Sequence, residues 1–198
     1  MTTTRSARLN RATTETNVKV SLSIDGSGTG KIDTPIGFLN HMLEQFAKHG
    51  LFDLEIKASG DTGFDDHHTV EDVGIVLGQA FAEAIGDKKG INRYGFFILP
   101  MDEALTTAAV DFSGRYSFRL EAGFKREKIG DMSSELIYDF WDAFAQNARL
   151  NLFIKSEFGR NDHHQAEGIF KACAKALRLA CELDERLGGR LPSTKGRL

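Results

Sequence analysis

Two stretches of the chain, Asp66-His67-His68-Thr69-Val70-Glu71 and Asp162-His163-His164-Gln165-Ala166-Glu167, carry one His-His-x-x-Glu pattern. The likeness continues on both sides. Upstream, residues 41–47 align with 139–145, and without a gap residues 54–57 fall on 152–155. A two-residue deletion then superimposes the histidine pairs. Downstream, Val73, Leu77, Ala80, Phe81 and Ala84 fall on Ile169, Cys173, Ala176, Leu177 and Ala180. Order, spacing and hydrophobic phase all agree, which is the mark of an internal duplication. Residues 1–90 form the first half and residues 91–198 the second, joined near residues 86–93, and together they make one compact unit.

Each half reads the same way. Alternating apolar residues predict strands over residues 18–24 and 105–112, and residues 115–120 are a further candidate. A helix follows, over about residues 37–48 and 134–148. Ser133 or Ser134 with Glu135 marks the start of the later one, and Gly50 would end the earlier one. A strand comes next, over residues 51–58 and 150–157. A Gly/Asp-rich loop leads into a second helix, over about residues 67–85 and 163–187, with Asp66 and Asp162 as the expected N-caps. The fold class is α+β, built of internally duplicated β-α-β-α halves with helices packed on one face of each sheet.

Four of the six histidines lie in the repeated motif. On a helix, the first His and the Glu four residues later share a face, while the adjacent His points about 100° away. His67 with Glu71, and His163 with Glu167, can therefore each grip one ion. His68 and His164 face elsewhere and are free to serve another. Imidazole with carboxylate suits Mn, Fe or Zn, and the lack of cysteine in the motif argues against structural zinc. Upstream, His41, Gln45 and His49 form a polar stripe opposite Leu39, Leu43 and Phe46. The matching positions in the second half are Asp139, Ala143 and Asn147, so Asp139 can still offer a carboxylate.

Other polar groups suit a phosphate monoester. Arg93, Arg115, Lys171 and the tail residues Ser193, Thr194 and Lys195 supply charge and hydroxyls for it, although each taken singly reads first as a solvated surface group. Asp102 and Glu103 stand before a strand and can act as acid/base groups or support the histidines. Glu15 lies in a threonine-rich extended stretch that residue chemistry alone does not single out.

Composition narrows the rest. A formal net charge of −3 gives no reason to expect nucleic acid or an anionic membrane as partner. No apolar run is long enough to span a membrane, and the polar start lacks the apolar core of a signal peptide. Cys173 and Cys181 would sit about 12 Å apart along one helix, too far for a disulfide. They are expected as buried thiols of a cytoplasmic protein.

Residues 11–16, 37–54, 65–80, 90–95, 100–105, 111–115, 159–172 and 192–196 together resemble the imidazoleglycerol-phosphate dehydratase family over essentially the whole chain. The two HHxxE blocks with PMDEAL and PSTKG are the specific part. The resemblance implies helices sandwiched between two four-stranded sheets, the ribosomal protein S5 domain 2-like arrangement. It implies a lyase of L-histidine biosynthesis that dehydrates D-erythro-imidazole glycerol phosphate to imidazole acetol phosphate with two Mn(2+) per site. It also implies a homo-oligomer, a 24-mer with sites between subunits. By position, one metal takes His41, His68, His163 and Glu167, and the other His67, Glu71, His164 and residue 139. Glu15, Gln45, His49, Arg93, Arg115, Lys171, Ser193, Thr194 and Lys195 match substrate-contacting positions. Three positions depart from the family's usual pattern: many relatives carry His where this chain has Asp139 and Phe153, and Asp where it has Asn40.

The chemistry suggests why two metals are needed. The proton to be lost is not acidic and hydroxide leaves poorly, but ions on the two ring nitrogens stabilise an imidazolate. That imidazolate expels the adjacent hydroxyl to give a diazafulvene, which then loses the proton on the neighbouring carbon. Glu15 is the expected base, with His49 or a metal-held water as the alternative. A bridged metallohydrolase and a metal-storage module are the competing classes. The first needs its ions about 3.5–4 Å apart, and the second needs no phosphate grip.

Overall fold

The computed structural model describes residues 5–198. Three strands open the first half: β1 (Ser6–Ala12), β2 (Thr16–Ser23) and β3 (Gly30–Asp33). Helix α1 (Gly37–Gly50), strand β4 (Asp53–Gly60) and helix α2 (His67–Ile85) complete it. The second half runs β5 (Tyr94–Met101), β6 (Ala104–Asp111), β7 (Ser117–Glu121), α3 (Leu136–Ala148), β10 (Asn151–Phe158) and α4 (Asp162–Cys181). A two-stranded flap, β8 (Lys128–Ile129) with β9 (Met132–Ser133), is inserted before α3.

The two halves have one topology. The first sheet is ordered β1-β2-β4-β3 and the second β5-β6-β10-β7. In each, a hairpin pairs antiparallel with the strand that follows the first helix, and the third strand joins that strand in parallel. The expected β-α-β-α run is present in both halves, β7 lies on the further candidate at residues 115–120, and β1, β3 and β5 are additional. The alternation seen in the sequence sets the inner faces. Val18, Val20 and Leu22 point inward from β2, as Ala108 and Val110 do from β6.

The four helices lie between the sheets, and their pairing crosses the halves. Helix α2 covers β1 and β2 but packs along α3, while α4 covers β5 and β6 but packs along α1. Gly74 and Gly78 let α2 approach α3 closely. A Cβ on either would stand 2.6 Å from the Phe140 carbonyl oxygen or 2.5 Å from that of Phe144. Phe46, Phe81, Trp141 and Phe144 meet between the helices, with ring centroids 5.3–6.4 Å apart and steep interplanar angles. Each fully buried ring of this kind contributes about 2–3 kcal/mol. Both cysteines are buried free thiols, as expected. Among the described residues, no helix is long and apolar enough to cross a membrane.

The helix ends differ from the sequence reading. Gly50 is the last residue of α1, and Leu51 takes the left-handed cap at φ 55°, because a bend at Leu51 lets Phe52 turn back into the core. Asp66 makes no side-chain cap, and Asp65 accepts the His67 N–H at 2.9 Å instead. Asn161, one residue earlier than expected, caps α4 by accepting the His163 N–H at 2.9 Å. Asp162 turns away to accept the N–H groups of Lys125 and Arg126. Helix α3 begins at Leu136 without a serine cap, since Ser134 donates its hydroxyl to the Arg126 carbonyl. Helix α4 stops at Cys181, where Glu182 becomes extended and only a single 3-10 turn follows at Glu185–Leu187.

Candidate active site

Capping by Asn161 starts α4 so that His163 and Glu167 stack one turn apart, Nε2 to Oε2 at 3.1 Å. Helix α1, lying against α4, brings His41 Nε2 to 3.7 Å from the same oxygen. The His41 and His163 ring centroids are 5.5 Å apart, and Phe38 meets His163 edge-on. One turn further along, Lys171 Nζ lies 2.5 Å from the other Glu167 oxygen. Burial pushes the Glu167 carboxyl up, but the Lys171 hydrogen bond and charge, together with His41 and His163, outweigh it and hold the group below the usual carboxylate range. The result is a charged carboxylate with one oxygen on a lysine and the other facing two half-exposed imidazoles.

The other helix pair repeats this geometry. His67 Nε2 is 3.9 Å from Glu71 on α2, and His67 Nδ1 is 3.6 Å from Asp139 on α3. Under the repeat alignment His67 stands for His163, Glu71 for Glu167 and Asp139 for His41. Each cluster therefore takes two residues from one half and one from the other, a direct result of the crossed helix packing. Burial raises the Asp139 carboxyl against the opposing pull of His67.

The second histidine of each pair faces away. His67 and His68 have centroids 6.0 Å apart at 79°, and His163 and His164 are 6.2 Å apart at 87°. His68 Nδ1 hydrogen-bonds Asp61 at 3.0 Å and lies 3.8 Å from Glu15. The Asp61 bond, with Glu15 beside it, lifts the His68 pKa. His164 Nδ1 is 2.8 Å from Glu103, and its Nε2 is 3.6 Å from Asp102. Glu103 is pulled down to about 2, first by His164 and then by the Asn161 N–H. Glu15 occupies the β1–β2 turn and Glu103 the β5–β6 turn, equivalent places in the two halves. Buried Asp72 anchors the first turn by binding Arg11 and Thr16.

Gln45 and His49 continue the His41 stripe along α1. Burial first, then the charges of Lys171 and Lys175, keep the His49 pKa low. Arg93 and the tail lie elsewhere. Arg93 donates to Asp111 at 2.7 Å and to the Pro192 carbonyl at 2.9 Å, just before Ser193, Thr194 and Lys195. Its own N–H bonds the Ala180 carbonyl near the end of α4. Arg115 follows Gly114, which closely approaches Leu198. From Glu167 to Ala180 the helix rises about 20 Å. Within one chain, then, the phosphate-type groups collect at the far end of α4 from the histidines, and Lys171 stays beside them. Two groups of the site were not anticipated, Asp61 and Asp72. Asp61 falls in the loop where the two-residue deletion interrupts the repeat alignment, and Asp72 matches Gly168.

Residues 34–177 match the family model for imidazoleglycerol-phosphate dehydratase. The chain belongs to the imidazoleglycerol-phosphate dehydratase family. Its curated relatives include the imidazoleglycerol-phosphate dehydratase of Janthinobacterium sp. (strain Marseille), 52% identical over the whole of both chains. That of Pseudomonas paraeruginosa is 51% identical over 97% of this chain and 98% of its own. The solved imidazoleglycerol-phosphate dehydratase of Staphylococcus aureus superposes with a TM-score of 0.82 at 41% identity, covering 90% of this chain and 99% of its own. The Pyrococcus furiosus structure gives 0.83 at 35%, covering 96% and 100%. The chain is accordingly a hydro-lyase of the imidazoleglycerol-phosphate dehydratase family, with the sheet–helix–sheet fold expected. The family match contains all six histidines, while Glu15 and the Ser193, Thr194, Lys195 tail lie outside it.

Proposed function

We propose that this chain dehydrates D-erythro-imidazole glycerol phosphate to imidazole acetol phosphate in cytoplasmic L-histidine biosynthesis, using two divalent metals, Mn(2+) first among them. The observation that carries the reading is the split of each histidine pair. His163 and Glu167 gather with His41, and His67 and Glu71 with Asp139, while His164 and His68 turn outward to other carboxylates. The donor set fits such ions: imidazoles and charged carboxylates without thiolate, three donor atoms of His41, His163 and Glu167 lying within 4.8 Å of one another.

One metal would be held by His41, His163 and Glu167 with His68 of a second copy. The other would be held by His67, Glu71 and Asp139 with His164 of a second copy. Bound there, the ions would supply Lewis acidity toward the substrate's imidazole ring, the charge stabilisation that a route through an imidazolate and a diazafulvene needs. This sharing requires association, and the assembly proposed is the 24-mer. Apolar side chains on the outer face of the second sheet support association. Phe96 and Phe153 flank Ala109 across three strands and are 70% and 47% exposed, and Ile98 beside them is 58% exposed.

Glu15, on the hairpin held by Asp72, takes the proton from the carbon bearing the second hydroxyl. His49, kept neutral by burial and nearby lysines, is the other group able to accept a proton. Gln45 orients the ring region. Arg93, Arg115, Lys171, Ser193, Thr194 and Lys195 grip the phosphate, the groups from the far end of α4 reaching the metals of a neighbouring copy. The test is ketone formation from imidazole glycerol phosphate after chelation, with and without added Mn(2+). Turnover that returns with manganese is expected, and none with manganese restored would reject the reading.

A further inference from the structure

Resting on the two-metal reading above, we propose that the two metal positions are chemically unequal: Asp139 makes the His67 position oxygen-rich and manganese-favouring, while the His41 position favours zinc-like ions. The repeat supplies an internal control, since the two clusters match residue for residue except at two places. The first is His41 against Asp139. With the turned-out histidine of a second copy added, the His41 position offers three imidazoles and one carboxylate, and the His67 position two imidazoles and two carboxylates.

The second difference acts in the same direction. Lys171, which occupies one oxygen of Glu167 at 2.5 Å, is matched in the first half by Ile75. Glu167 is therefore left with one oxygen for an ion, whereas Glu71, half-exposed with no lysine in that place, offers both. Imidazole suits zinc, nickel and copper, and carboxylate suits manganese and magnesium. Divalent zinc binds mixed nitrogen and oxygen sites more tightly than manganese does, but each exchange of nitrogen for oxygen narrows the gap. A divalent ion also leaves the His41 position with a net positive charge and the His67 position neutral. The His67 position thus holds manganese against zinc better than its twin.

The measurement is displacement. The full-length assembled protein is loaded with Mn(2+) and titrated with Zn(2+), and the released aquo-manganese is followed by electron paramagnetic resonance. Two phases are expected, half of the manganese leaving at a zinc concentration lower by at least about tenfold than the other half. Asp139→His should merge the phases at the lower concentration, and Asp139→Glu, which keeps the carboxylate, should keep them apart. Ile75→Lys should narrow the gap by engaging Glu71. A single phase in the unaltered protein with two manganese ions bound overturns the inference and leaves the two-metal reading intact. So do two phases that persist unchanged in Asp139→His. A protein that takes up no manganese overturns both.

Discussion

Replacing Glu167 with glutamine is expected to lower kcat by at least about a thousandfold, some 4 kcal/mol of transition-state stabilisation. The carboxylate does two things at once. One oxygen faces His41 and His163 at 3.7 and 3.1 Å, and the other neutralises Lys171 at 2.5 Å. An amide of the same shape removes the negative charge from both. The His41 position loses its anionic donor, and Lys171, only 14% exposed, is left as a near-buried cation without its partner. Metal analysis should show the content per chain falling from two ions toward one, because the His67 cluster shares none of these residues. A variant with two tightly held ions and near-normal kcat would remove Glu167 from the metal site.

Glu15→Gln is expected to cost about a hundredfold to ten-thousandfold in kcat, the range for a positioned general base, with both metals retained. The side chain is half exposed on the β1–β2 turn and 3.8 Å from His68. The hairpin's position depends on Asp72, Arg11 and Thr16 rather than on Glu15. Stability and KM should therefore change little, so that a drop confined to kcat separates a proton-transfer role from a structural one. Near-normal kcat with metals bound would move the role of base to His49.

Much of this site could be read from the residues because the chain repeats itself. Two copies of one motif in matching frames located the helices α2 and α4, and helical geometry separated His67 from His68 and His163 from His164 before any coordinates. Lys171, read from the sequence as a phosphate ligand, also proves to be the ion-pair partner of Glu167. What escaped depends on tertiary contact. Strand β1 buries only Ala7, so its alternation is too faint to see. Edge strand β3 has four residues and no buried one, and β5 carries a run of apolar residues ending at a proline, with no clean period of two. The cap of α4 passed to Asn161 because Asp162 is drawn to the backbone at Lys125 and Arg126. The crossing of α1 onto α4 and α3 onto α2, which places His41 and Asp139 in the clusters, is a packing choice that a periodic pattern does not encode. Arg93 read as a phosphate ligand, yet in the folded chain it also braces Asp111 and the tail at Pro192.

The central claim is that each site is shared: one copy gives His41, His163, His164 and Glu167, and another gives His67, His68, Glu71 and Asp139. Complementation tests it most directly. Glu167→Gln and Glu71→Gln are each expected to be nearly inactive when assembled alone, since each spoils one side of every site. Mixed as unfolded chains and reassembled with manganese, they should recover about a quarter of the unaltered activity, because random pairing across a head-to-tail interface joins two intact sides that often. Mixed assemblies with no more activity than the separate variants would contradict the account, and would place each complete site within a single chain.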